Sequence, residues 1–361
     1  MLQAALAIAL LAWPLFAQVP DAAREAQRAQ ELVAAGKFAE AVGIYRNLVR
    51  SSPQNPALLL NLCIAEYSDR QFRESATTAA AALRLDPNLQ PARLFLGASQ
   101  LELGELPAAI DALKIVVAAN PRERNGRLML GIALLESGQP GAALEHLEAA
   151  AEMLPGSSRV WYGLARARDA LGRGAAAKEA WDRLASLPPS LESHLHAAEV
   201  QSAEQRWREA VPEWREALRL APGKPAIRIG LGEALFRSRD YAGCMSELKP
   251  LLPGDSAEVQ FLYGASLLNL QQPLDAMPYL RQAIARDAHL LPARAALGQA
   301  LLQTGKPAEA IPLLESALAV DQDGSTHFQI FRAYQLTHRE ADAQRALAEY
   351  HRFRASLAPR P

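Results

Sequence analysis

From Gln90 to Glu123 the order of apolar, small and polar residues predicts two short helices and a stop. Leu96 and Gly97 belong to the first helix, Gly104 breaks it, and Ala109 and Leu113 mark the inner face of the second. Pro121 ends the unit, because proline cannot continue a helix and biases the residue before it away from helical geometry. The same frame returns along the chain. Prolines fall at 53, 87, 121, 155 and 189, and again at 222. A fixed stride of this length predicts a stacked array, in place of the two or three ordinary domains that 361 residues would suggest.

Two small positions carry the pattern. The eighth of each unit is Ala29, Cys63, Gly97, Gly131, Ala165, Ala198, Gly232, Gly264 and Gly298. The twentieth is Ala41, Ser75, Ala109, Ala143, Ala177, Ala210, Cys244, Ala276, Ala310 and Ala343. A large residue stands seventh at Leu62, Leu96, Leu130, Leu164, Leu231, Tyr263, Leu297 and Ile330. This pattern resembles the tetratricopeptide repeat, a helix-turn-helix unit whose helices cross closely at those small residues. The resemblance implies an all-α fold, a right-handed superhelical solenoid of about ten repeats. The units run 22–55, 56–89, 90–123, 124–157, 158–190, 191–224, 225–256, 257–290, 291–323 and 324–356, one array over 22–356. The sixth lacks a large seventh residue. Pro250 and Pro253 predict a short or kinked second helix in the seventh.

The ends differ from the middle. Residues 1–17 carry no charged side chain, and the apolar run Ala4–Ala17 is shorter than the ~20 residues a bilayer span needs. It reads as a cleaved export signal ending at Leu15-Phe16-Ala17, although no lysine or arginine precedes it. Export to the periplasm or cell exterior is the expectation, with no stable membrane insertion once the signal is removed. The first helix, expected over Val19–Ala34, places Glu25 and Arg28 where later units place packing residues, as a solvent-facing cap requires. The tail Arg339–Ala355 predicts an amphipathic helix that closes the other end, followed by a frayed Ala358–Pro361.

Composition narrows the function classes. Half the residues are apolar and the net charge is −1, with arginines interleaved among carboxylates, which argues against a nucleic-acid binder. Cys63 and Cys244 lie five units apart, too far for a bridge, and both occupy small packing positions. Trp161, Trp181, Trp207 and Trp214 also fall at packing positions of the family. His194 and His196, two apart on a helix, face different sides and make poor joint metal ligands. Gly230-Leu231-Gly232 lacks the strand and third glycine of a dinucleotide loop. No catalytic residue, cofactor or metal site is expected.

By the resemblance, the second, fifth, ninth, twelfth and thirteenth residues of first helices line a concave surface. In units two to four these include Leu60, Ile64, Tyr67, Leu94, Leu101, Leu128, Ile132 and Leu135. Further on the lining turns charged and aromatic, with Arg159, Tyr162, Arg166, Asp169, Glu199, Glu233, Phe236, Arg237, Phe261, Phe328 and Arg332. Contiguous open apolar surface marks a partner site, so a peptide or helical segment of a partner protein is the expected ligand. A carboxylate clamp like that of chaperone-binding relatives is not supported, since only Asn61 fits its positions. Two other functions fit the same array. One is an accessory subunit that positions a separate enzyme, the other a glycan or small-molecule binder in units five to eight.

Overall fold

The computed structural model describes residues 20–357, and there it is all-α, with twenty helices and no strand. The export-signal segment 1–17 and the frayed Ala358–Pro361 of the sequence reading lie outside the described residues. Where the sequence suggests one array, the chain divides into two compact units, up to Pro188 and from Pro189. The first holds α1 Pro20–Ala34, α2 Phe38–Ser51, α3 Pro56–Ser68, α4 Phe72–Leu85, α5 Gln90–Glu102, α6 Leu106–Ala119, α7 Arg124–Glu136, α8 Pro140–Met153, α9 Ser158–Ala170 and α10 Gly174–Ala185. The second holds α11 Leu191–Ala203, α12 Trp207–Leu220, α13 Pro225–Arg237, α14 Tyr241–Leu248, α15 Ala257–Asn269, α16 Pro273–Arg286, α17 Leu291–Gln303, α18 Pro307–Ser316, α19 Ser325–Leu336 and α20 Glu340–Ser356. At the division, consecutive prolines remove two backbone donors, and Ser190 restarts the chain as the N-cap of α11, in a reciprocal box with Ser193.

Each helix pair is held by one repeated fit. The twentieth residue of every unit is at most 5% exposed, from Ala41 at 0% to Ala343 at 5%. A Cβ added at Gly97 would lie 2.7 Å from Leu113 Cγ, and one at Gly131 2.6 Å from Leu147 Cγ. The same clash recurs at Gly298 against Leu314, 2.6 Å away. The glycine is thus the socket for a leucine sixteen positions on, and those leucines are fully buried. Where the socket is filled the knob changes size: Cys63 pairs with Ala79, and Ala29 with Tyr45, all of them fully buried. Ser75 adds a hydrogen bond from its hydroxyl to the Cys63 carbonyl at 2.8 Å. Both cysteines are buried and free, and burial pushes their thiols well above the ordinary range.

The turn inside each pair needs a left-handed residue. Gly104 and Gly138 supply it at φ 75° and 76° without steric cost. Arg70, Gln205, Arg239, Gln271 and His338 hold the same position with φ between 58° and 70°. A side chain there is strained. Between several pairs, the fourth residue of a first helix staples the preceding turn. Arg93 donates to the Pro87 carbonyl at 2.6 Å, Arg127 to Pro121 at 2.7 Å, Trp161 to Pro155 at 2.8 Å and Arg294 to Ala288 at 2.6 Å.

Two second helices are short. α14 has eight residues and passes into a 3₁₀ turn over Lys249–Leu251, because Pro250 withholds a backbone donor. α18 has ten and ends likewise over Leu318–Val320, which the sequence did not foretell. Trp214 is buried, whereas Trp161, Trp181 and Trp207 pack half-buried against their cores.

Replacing Arg70, Gln205 or Gln271 by glycine is expected to raise unfolding free energy by about 1 kcal/mol each, because it removes a strained side chain. Gly298→Ala should lower it by about 1–3 kcal/mol through overpacking against Leu314. Urea denaturation of the full chain checks both; a destabilising Gln271→Gly would contradict the account of the turn.

Candidate functional site

The lining positions fare differently in the two units. In the first, α3, α5, α7 and α9 pack successively against one another, and the apolar stripe is consumed in that packing. Leu60, Leu101 and Leu128 are 4% exposed, and Ile64, Tyr67, Leu94 and Ile132 are all buried within the same core cluster. Leu135 is half-buried against that cluster. The open apolar groove expected from these residues is therefore not present. Each first helix lays its side chains into the next, so residues that one helix pair does not need are used by the stack. Tyr67 illustrates this: its ring meets Phe72 at 5.4 Å and Phe95 at 5.5 Å, edge-on. Burial pushes its hydroxyl up to about 12, with the Glu102 carboxylate adding to the rise. Arg159, from the start of α9, reaches Glu102 at the end of α5 with 3.3 Å between nitrogen and oxygen, and also hydrogen-bonds Tyr67. Tyr162 and Arg166 stay more accessible. The Tyr162 ring stands 5.6 Å from Trp181, and Arg166 lies 5.6 Å over Tyr162.

In the second unit several of the same positions hold charged or aromatic residues and remain partly open, while Ala265 and Leu268 are buried. Phe236 of α13 stands 6.3 Å from Phe261 of α15 and 5.6 Å from Tyr241, all half-buried. Arg237 lies 5.7 Å over the Trp207 ring and 3.5 Å from Glu233. Glu258 takes up its proton more readily than usual, through burial first and the nearby Glu233 carboxylate second. Along α19, Phe328 is 41% exposed, Arg332 is exposed, and Leu336 is 52% exposed. Leu336 escaped the sequence reading, although the signal is present: the equivalent residues Ser68, Glu102, Glu136, Arg237, Asn269 and Gln303 are polar.

His194 is paired with Glu213 at 2.7 Å, and among the described residues no three His, Cys, Asp or Glu side chains are placed to hold a metal ion. One closely tied carboxylate is structural. Asp321, its side chain 1% exposed, anchors the start of α19. It accepts from the His327 ring at 2.6 Å and from the backbone N–H groups of His327 at 3.0 Å and Gly324 at 2.9 Å. Burial opposes its ionisation, but these hydrogen bonds outweigh it and hold the carboxyl below its usual range.

Leu94→Arg together with Leu128→Arg is expected to unfold the first unit, since each buries an unpaired charge at a cost on the order of 4 kcal/mol. Retained helicity and melting in that variant, by circular dichroism, would mean the stripe is open after all. Asp321→Asn should destabilise the protein at neutral pH. A lowered folded-state pKa contributes stability above the unfolded carboxyl value, and that stability is lost as pH falls through the folded one. The gap between variant and parent should therefore close on acidification below the ordinary carboxyl range, and a gap independent of pH would refute the role.

Comparison with known proteins bears on the fold. Two family models, both described as tetratricopeptide repeat, match residues 134–199 and 267–334, and residues 26–89, 64–124 and 196–243. Together they cover more than half the chain. The APC/C hetero-tetramer Cut9-Hcn1 structure is similar in fold, with TM-score 0.62 and 18% identity over 88% of this chain and 64% of that one. This chain thus spans a little under two thirds of that relative's length. MamA 41-end from Desulfovibrio magneticus RS-1 matches with TM-score 0.43 and 22% identity over 46% of this chain and 95% of that one. No curated protein matches the sequence.

Proposed function

The chain belongs to the tetratricopeptide repeat family, and from that premise we propose that it is a non-catalytic scaffold holding a segment of another protein against its first helices. The observation that supports this reading is the half-open aromatic and charged lining of the second unit, around Phe236, Arg237 and Phe261. Side chains at these positions are held by ring contacts and ion pairs while one face stays toward solvent. Such a surface suits a peptide, because rings supply contact area at low entropic cost and charges set its direction. The buried stripe from Leu60 to Ile132 supports the wall and does not touch the ligand. In the first unit Tyr162, Arg166 and Asp169 belong to the accessible lining.

The partner surface is tested by crosslinking and pull-down from the source organism with full-length protein. Arg237→Glu combined with Phe261→Ser should lose a partner captured by the parent while helicity persists; a partner held equally by both would sink the reading. We also place the protein outside the cytoplasm, in the periplasm or beyond the cell, on the strength of the uncharged apolar run at residues 4–17. Mass spectrometry of the natural protein should then find its N-terminus close to Gln18. A natural protein that retains residues 1–17 and fractionates with the cytoplasm would exclude that placement.

A further inference from the structure

The inner stripe of α19 is unlike that of any first helix before it. Phe328, Arg332 and Leu336 are four residues apart and share one helix face. On α3, α5 and α7 the residue equivalent to Phe328 is Leu60, Leu94 or Leu128, each at most 9% exposed because another first helix follows. Phe328 is 41% exposed, yet its ring is positioned, 5.5 Å from Tyr350 and 5.9 Å from Phe331. Leu336 puts a large apolar side chain where the other units place polar or small ones, and it is 52% exposed. Between the two, exposed Arg332 has no carboxylate at ion-pair distance among the described residues. The other end of the array, by contrast, is covered by polar residues, with Glu25 and Arg28 joined at 3.8 Å.

A second copy of the chain does not suit this end. Antiparallel pairing of two α19 stripes is symmetric about Arg332 and sets the two guanidinium groups against each other. The charge calls for an anionic group at the centre, and the flanking Phe328 and Leu336 call for apolar side chains one turn on either side.

We infer that α19 docks a single amphipathic helix of a partner protein, one carrying a carboxylate flanked at four-residue spacing by apolar residues. This rests on the protein-binding reading above and names the class of ligand for one part of that surface.

The test uses the full-length chain and a displayed library of short helices randomised along one face. The selected helices are expected to carry Asp or Glu between apolar residues. Leu336→Glu should weaken them by about tenfold or more, and Arg332→Glu should turn the preference to Lys or Arg at the same place. Both substituted side chains are exposed, so thermal melting should match the parent. Three results would overturn the inference: no helix whose capture depends on α19, no acidic preference among those that do, or a concentration-dependent dimer abolished by Leu336→Glu. Helices that ignore α19 but are lost with Arg237→Glu would leave the broader reading standing. Helices lost with neither would remove both.

Discussion

The structure depends on how closely two helices approach within a pair. A glycine, alanine or cysteine at the eighth position of a unit leaves room for the side chain sixteen residues later. Dispersion between close-packed atoms is small per contact and large in sum, so a fit repeated in nearly every unit is worth more than any single ion pair. Cys63 with Ala79, and Ala29 with Tyr45, are as fully buried as the glycine–leucine pairs, so more than one combination of side chains fills the crossing. A pair held this way still exposes a second apolar face. It is stable only when a neighbour covers that face, which makes stacking obligatory.

The same need decides where a ligand can be held. In the first unit the first helices carry leucine and isoleucine at the lining positions, and stacking buries them against one another. The wall becomes rigid and gives up its open surface. In the second unit several of those positions carry charged or aromatic residues instead, among them Glu199, Glu233, Phe236, Arg237 and Phe261. Charged groups resist full burial. The lining there stays half-open. Apolar richness along the sequence is thus a poor guide to a binding face in an array, because the most apolar stripe is the one the stack uses.

Local strain is distributed rather than concentrated. Five of the turns inside pairs hold a non-glycine residue at positive φ, and they tolerate it because the knob-and-socket fit on either side fixes the crossing. The shortened α14 and α18 end in 3₁₀ turns, yet Leu248 and Leu314 stay fully buried at the crossing. Asp321 secures the entry to the last pair with a carboxylate in place of a longer second helix.

Stride, helix order and crossing contacts were legible along the chain, since proline and glycine act locally and the small positions repeat at fixed spacing. The short α14 was equally legible from Pro250, because a missing backbone donor needs no tertiary context. Accessibility was not. Whether Leu94 faces solvent depends on how near the next first helix lies, and Leu94 and Phe328 occupy equivalent positions with opposite fates. The division at Pro188–Pro189 likewise emerged only from the packing, although the two prolines were visible from the outset. Periodicity records what each pair needs for itself, whereas burial is settled by neighbours whose distance no local pattern encodes.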